Sequence, residues 1–248
     1  MEQRVGRVFL GLAVLLSGLQ QLVIGQFVRI VPKLPEAVPA QPVLARLGGL
    51  LLVALGIALV GGKLARLAAS VVALLLFATL ALYLPQIATN PLAGFMYTNP
   101  LKVLALVGGL AALVPFLPEG PLSDGARLLG RASALAPWLF AAFLVVCGIQ
   151  HFVYLPFVTE LVPPYMPARR FWAQFAGVCL IGGGVGCVLP QTALLAARLS
   201  ALMIFLWVLM LHIPRALADL GVPGETSAIF EALAMSGVAL LVAARRLE

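Results

Sequence analysis

The sequence predicts an all-α, polytopic membrane protein of eight transmembrane helices, arranged as two tandem four-helix bundles. Three observations predict it. Hydrophobic residues make up 62% of the chain and charged residues 10%, against about a quarter charged in soluble domains. The apolar runs reach the roughly 20 residues that a helix needs to cross a bilayer. The two halves also repeat: GLQQLV at 18–23 recurs as GIQHFV at 148–153, each followed by Phe-Val (Phe27, Val28; Phe157, Val158) and then Val-Pro (Val31, Pro32; Val162, Pro163). Gly49 and Gly56 fall on Gly177 and Gly184, and Tyr83-Leu84-Pro85 falls on His212-Ile213-Pro214.

Each element follows from the same reading. The spans must be helices, because lipid cannot satisfy an open backbone. The first, 8–30, follows Arg4 and Arg7 as a signal peptide would, but no small-residue cleavage site follows the apolar run, so it is expected to be retained. The second, 44–62, begins after the cluster Pro32 to Pro42, and the third, 66–86, ends at Tyr83-Leu84-Pro85. The fourth, 101–118, follows Pro91 to Pro100. The stretch Pro115 to Ala136, with Glu119, Asp124, Arg127 and Arg131, is the longest polar break near mid-chain. It divides a first unit, 1–118, from a second, 135–248, with a linker over 119–134. The fifth span, 135–156, carries Cys147, His151 and Tyr154 on one helical face. The sixth, 171–190, follows Val162 to Pro167, and its Gly177 and Gly182 to Gly184 let helices approach closely. The seventh, 194–214, carries His212 near its end, and the eighth, 227–244, carries Glu231 near its start.

Net charge is +7, but the sixteen basic residues are spread over short loops. Without a basic stripe interleaved with aromatics there is no nucleic-acid surface; the partner is the bilayer and its anionic headgroups. Cys147, Cys179 and Cys187 lie in apolar runs without a CxxC pair, as small hydrophobes do. With the N-terminus on side A, that side carries nine Lys and Arg and side B seven, which favours both termini in the cytoplasm.

The only two histidines, His151 and His212, fall at the side-B ends of the fifth and seventh spans. Trp172, Gln174 and Glu231 reach a similar depth, and the connection Thr159 to Arg170 adds Glu160, Tyr165, Arg169 and Arg170. Ionisable groups inside spanning helices are costly and are often kept for function. One reading is a pocket for a small lipophilic ligand, with imidazoles of pKa near ~6.5 binding its oxygens or exchanging protons. The other is that the histidines are hydrated near the headgroups or bridge helices. Two histidines with Glu160 or Glu231 would also make three metal ligands, but no HExxH or Cys/His spacing supports a metal. Gln20 and Gln150 match in the repeat and suit hydrogen bonds across helices, and Trp138 and Trp172 suit interfacial anchors. The first unit has Gln21 in place of His151, Tyr83 in place of His212 and Arg46 in place of Gln174. A pocket is therefore expected in the second unit, with the first as scaffold or degenerate copy.

The string GIQHFVYLPFVTELVPPYMPARRFWAQFAG, with RLSALMIFLWVLMLHIPRAL after it, resembles the DoxX-like family of integral membrane proteins. Gly148, Gln150, His151, Phe152, Val162, Pro163, Pro167, Phe171, Trp172 and Gly177, then Arg198, His212, Pro214 and Arg215, carry the resemblance over about 138–245. It implies a four-helix unit used twice in a bacterial inner membrane, and a membrane subunit that binds a quinone or similar lipophile in a redox pathway. His151 and His212, with Gln174, Trp172 and Glu231 around them, would then contact the ligand. The chain has no CxxC and no dinucleotide fingerprint, so a soluble redox partner would supply electrons. Two other classes stand beside this: a non-catalytic scaffold that anchors a soluble enzyme, and a small-molecule carrier built on parallel repeats.

Overall fold

The computed structural model describes residues 1–32, 34, 36–90, 94–118, 124–219 and 221–247. Lys33, Pro91 and residues 119–123 of the expected linker, Glu119 among them, lie outside the described residues. Every regular element among the described residues is helical, and eight helices are long and apolar enough to cross a membrane.

The first half comprises α1 (Glu2–Ile24), α2 (Gln41–Gly61), α3 (Ala65–Thr89) and α4 (Thr98–Leu113), the last flanked by the 3-10 turns Gly94–Tyr97 and Val114–Phe116. The second comprises α5 (Asp124–Arg131), α6 (Ala136–Val153), α7 (Leu155–Leu161), α8 (Arg169–Val188) and α9 (Ala193–Trp207). A π-helical turn, Val208–His212, then leads into α10 (Ile213–Ala218), and α11 (Pro223–Ala244) follows.

Three expected boundaries move, each for a local reason. The first span stops at Ile24 instead of running to 30, because Gly25 takes the left-handed conformation (φ 70°) and its N–H caps the Gln21 carbonyl. The chain beyond forms a loop that buries Val28 and Ile30. The fifth span ends at Val153, and a separate helix, α7, starts with Pro156 in its first turn, where a missing N–H costs nothing. The described part of the expected linker is itself helical: α5 and the 3-10 turn Ala132–Leu135 run directly into α6.

Packing crosses the halves, so the eight spans form one assembly and not two separate bundles. Helix α1 packs on α2 and on α11; α6 packs on α8 and on α4; α4 and α11 also meet each other. These last two occupy the centre: 67% and 78% of their apolar windows are buried, against 22% to 44% for the other six. Glycines permit the tightest approaches. A Cβ on Gly18 of α1 would lie 2.7 Å from the Gly49 carbonyl of α2, and one on Gly148 of α6 would lie 2.7 Å from the Gly177 carbonyl of α8.

The sequence repeat is thus reproduced in the close glycine contacts and in the hydrogen bonds of the paired glutamines. Gln20 of α1 donates from Nε2 to the Pro223 carbonyl (2.7 Å) and accepts from Ser227 Oγ (2.9 Å). Gln150 of α6 donates to the Gly94 carbonyl (2.9 Å) and accepts from Thr98 Oγ1 (2.8 Å). Gly94 and Thr98 lie 129 positions before Pro223 and Ser227, which fixes the register of α4 against α11. The cross-helix role expected of the two glutamines is what they perform.

The π-helical turn accounts for a step in the repeat. Buried Ala65, Ala69 and Ala73 of α3 match buried Ala193, Ala197 and Ala201 of α9 at an offset of 128, whereas Tyr83 and His212 match at 129. A π turn holds one residue more than an α turn, which absorbs the insertion without breaking the helix. Pro214 has no N–H for the Met210 carbonyl four residues before it. The Tyr165 hydroxyl donates to that carbonyl instead.

Candidate functional site

A cluster of charged residues forms on the central helix pair. Glu231 of α11 and Lys102 of α4 are 129 positions apart, so they occupy equivalent places in the two halves. They face each other, with Lys102 Nζ 2.5 Å from Glu231 Oε2 and both side chains 11% exposed. Eight residues separate Glu231 from the start of α11, a depth of about 12 Å at the helical rise. The Arg29 side chain, from the loop after α1, grips the same carboxylate, with Nη2 at 2.6 Å and Nε at 3.3 Å. Lys102 Nζ also reaches Asn99 Oδ1 at 3.4 Å. Burial opposes the charge on Arg29, but the Glu231 charge and hydrogen bond outweigh it and raise its pKa. Desolvating two charges is expensive unless they are paired and hydrogen-bonded; here one carboxylate serves two cations.

The loop that carries Arg29 is held in place by two side chains of the first half. Gln21, 2% exposed, donates to the Ala45 carbonyl of α2 (3.1 Å) and accepts from the Val28 N–H (3.1 Å). The Tyr83 hydroxyl of α3 donates to the Ile30 carbonyl. A second ion pair, Arg215 Nη2 to Glu225 Oε1 at 2.5 Å, lies on the same side.

Between α1, α2, α3, α4 and α11 lies an apolar cavity of about 390 Å³, within the range of small-molecule sites. Ala13, Ser17 and Gln21 of α1, Gly48 of α2, Thr79 of α3 and Glu231 of α11 are among the residues that line it. A second, more polar cavity of about 240 Å³ is lined by Gln20, Gln26, Arg29, Gly224 and Ser227, and shares Phe27 and Val28 with the first as a common wall.

The apolar cavity lies among helices of the first unit and α11, and several of its lining positions differ in side-chain volume from the matching positions of the second unit. At the repeat offsets of these helices, Ala13 matches Phe143, Ser17 matches Cys147, Gln21 matches His151 and Thr79 matches Trp207. Phe143 is buried, and the His151 ring stacks on Trp207 with centroids 6.4 Å apart. Larger groups thus stand in the second half where small ones border the cavity in the first.

Of the five expected ligand contacts, Glu231 lines the apolar cavity and the other four line neither cavity. His151 turns Nδ1 back onto the Cys147 carbonyl (2.8 Å), a bond within its own helix. Trp172 lies edge-on to Phe171 (5.4 Å) and Phe175 (5.9 Å) on an exposed face of α8, which fits an interfacial anchor. Gln174 is half-buried. His212 is within electrostatic reach of Arg29, Lys102, Arg215 and Glu231, and its Nδ1 is buried with no hydrogen-bond partner. The structure thus brings His212 toward Glu231 and keeps His151 apart. Glu160 is exposed, and among the described residues no three His, Cys, Asp or Glu side chains form a group able to hold a metal ion. Arg29 and Lys102, not singled out in the sequence, complete the cluster. The signal for Lys102 was its position opposite Glu231 in the repeat.

Comparison with known proteins covers only part of the chain. The profile of a domain of unknown function (DUF8561) matches residues 140–247, which is the second half. No curated protein and no solved structure matches the chain.

Proposed function

We propose that the protein is a membrane-embedded binding protein for a lipophilic small molecule, held in the apolar cavity that Glu231 helps to line. The observation that carries this reading is the cavity itself: it is bordered by small side chains where the other half has Phe143 and Trp207. The DoxX-like resemblance of residues 138–245 makes a quinone the first ligand class to test. A redox role would then need a separate electron donor, because all three cysteines are single thiols. The setting we propose is the bacterial cytoplasmic membrane with both termini inside, from the balance of nine against seven basic residues.

The test is native mass spectrometry with solvent extraction of gently purified protein. A stoichiometric lipophile should accompany the wild type and should be lost from the double variant Ala13→Phe, Thr79→Trp, which gives the cavity the bulk of the second half. It should persist in His151→Ala. Equal retention by the closed variant and the wild type would overturn the cavity reading.

A further inference from the structure

We propose that the ligand is an amphiphile with an anionic headgroup, its chain in the apolar cavity and its headgroup against Arg29 in the polar cavity. This rests on the apolar cavity being the ligand site.

The two cavities differ in chemistry and lie side by side, with Phe27 and Val28 lining both. Together they suit a molecule with an apolar part and a polar part, and the local charge specifies the sign of the polar part. Arg29, Lys102 and Arg215 stand against Glu231 and Glu225, three cations to two carboxylates. The excess positive charge borders the polar cavity, which Arg29 lines. Arg29 is the cation able to use it. Its Nε and Nη2 are engaged by Glu231, which leaves Nη1 out of that pairing, and its side chain is 47% exposed and lines the polar cavity. Guanidinium suits carboxylate and phosphate because its planar donors match their oxygens.

The same arrangement fixes the orientation of the ligand. Glu231 lines the apolar cavity, so an anionic head pushed into that space would meet a buried carboxylate. Placed outward, the head meets the guanidinium, with the amides of Gln20 and Gln26 and the Ser227 hydroxyl around it. Lys102 pairs with Glu231 and reaches Asn99, so that carboxylate has a second cation besides Arg29.

The experiment uses the full chain in phosphatidylcholine nanodiscs, with dodecyl phosphate and uncharged dodecanol as matched probes counted by native mass spectrometry. Wild type should retain dodecyl phosphate at least about tenfold better than dodecanol, a difference of about 1.4 kcal/mol. Arg29→Gln should lower dodecyl phosphate to the dodecanol level and leave dodecanol unchanged, and Arg29→Lys should keep the preference. Thermal unfolding followed by circular dichroism checks that each variant is folded. Equal retention of the two probes, unaltered by Arg29→Gln, would overturn the anionic headgroup. If the closed variant Ala13→Phe, Thr79→Trp then still loses both probes, the cavity reading survives without it. If that variant loses neither, both readings fall together. Displacement of dodecyl phosphate by phosphatidylglycerol would identify the bilayer as the source of the anion; resistance to it would identify a free single-chain anion.

Discussion

The two halves of this molecule share a framework and differ in what the framework encloses. Gln20 and Gln150 make the same pair of hydrogen bonds, and Gly18 on Gly49 repeats Gly148 on Gly177. Around that common skeleton the first half borders its interior with Ala13, Ser17 and Thr79, and the second places Phe143, Cys147 and Trp207 there. Close backbone contacts set how helices meet, while side-chain volume sets whether space remains between them. The copy that looked richer in chemistry, with both histidines, is the one in which bulky groups stand at those positions.

The strongest way to break the comparison is at its one shared polar point. Glu231→Ala would leave Lys102 and Arg29 without their carboxylate, at a cost of about 3–5 kcal/mol, read as a large fall in thermal unfolding temperature in detergent. Lys102→Met should cost clearly less, because Arg29 still pairs with Glu231. Equal losses would mean that the two cations do not share the load. Next in size, Phe143→Ala should open in the second half the space seen in the first. The cost should be about 2 kcal/mol, below the ~3–5 of a water-soluble core, because lipid removes most of the transfer contribution. A gain in lipophile capacity in the same variant would sharpen the point; no loss of stability would mean that Phe143 does not fill its site.

Gly18→Val and Gly148→Val should each cost about 1–3 kcal/mol through overpacking, and by similar amounts, since each Cβ would meet a carbonyl at 2.7 Å. A marked difference would show that the halves are not equivalent even in their backbone contacts. Smallest of all, Gln20→Ala and Gln150→Ala should each cost about 1 kcal/mol, read in the same unfolding assay.

The helical spans were legible because bilayer length and apolar content leave few alternatives, and the repeat because Gly, Gln and Pro recur at nearly constant offset. The end of α1 was less so: residues 26–30 are apolar enough to continue a helix, and only the left-handed Gly25 and the buried loop explain why they do not. The cavity was hidden for a different reason. It is defined by missing volume on several helices at once, and no single residue announces it. His151 and His212 drew attention because histidine is rare in this chain, yet rarity carries no information about which way a side chain turns. Lys102 and Glu231 stand at matching positions of the repeat with opposite charge, so their pairing is legible in the sequence.

The facing of Lys102 and Glu231 has a bearing on ancestry. If a first half stood alone and paired with a second first half in this geometry, two lysines would meet at the centre; two second halves would bring two glutamates together. Like charges at that distance and depth repel strongly. The halves are complementary at this point, as a lock is to its own key, and a symmetric pair of either would carry that repulsion. Joining them in one chain guarantees that each half meets the other in a ratio of one to one.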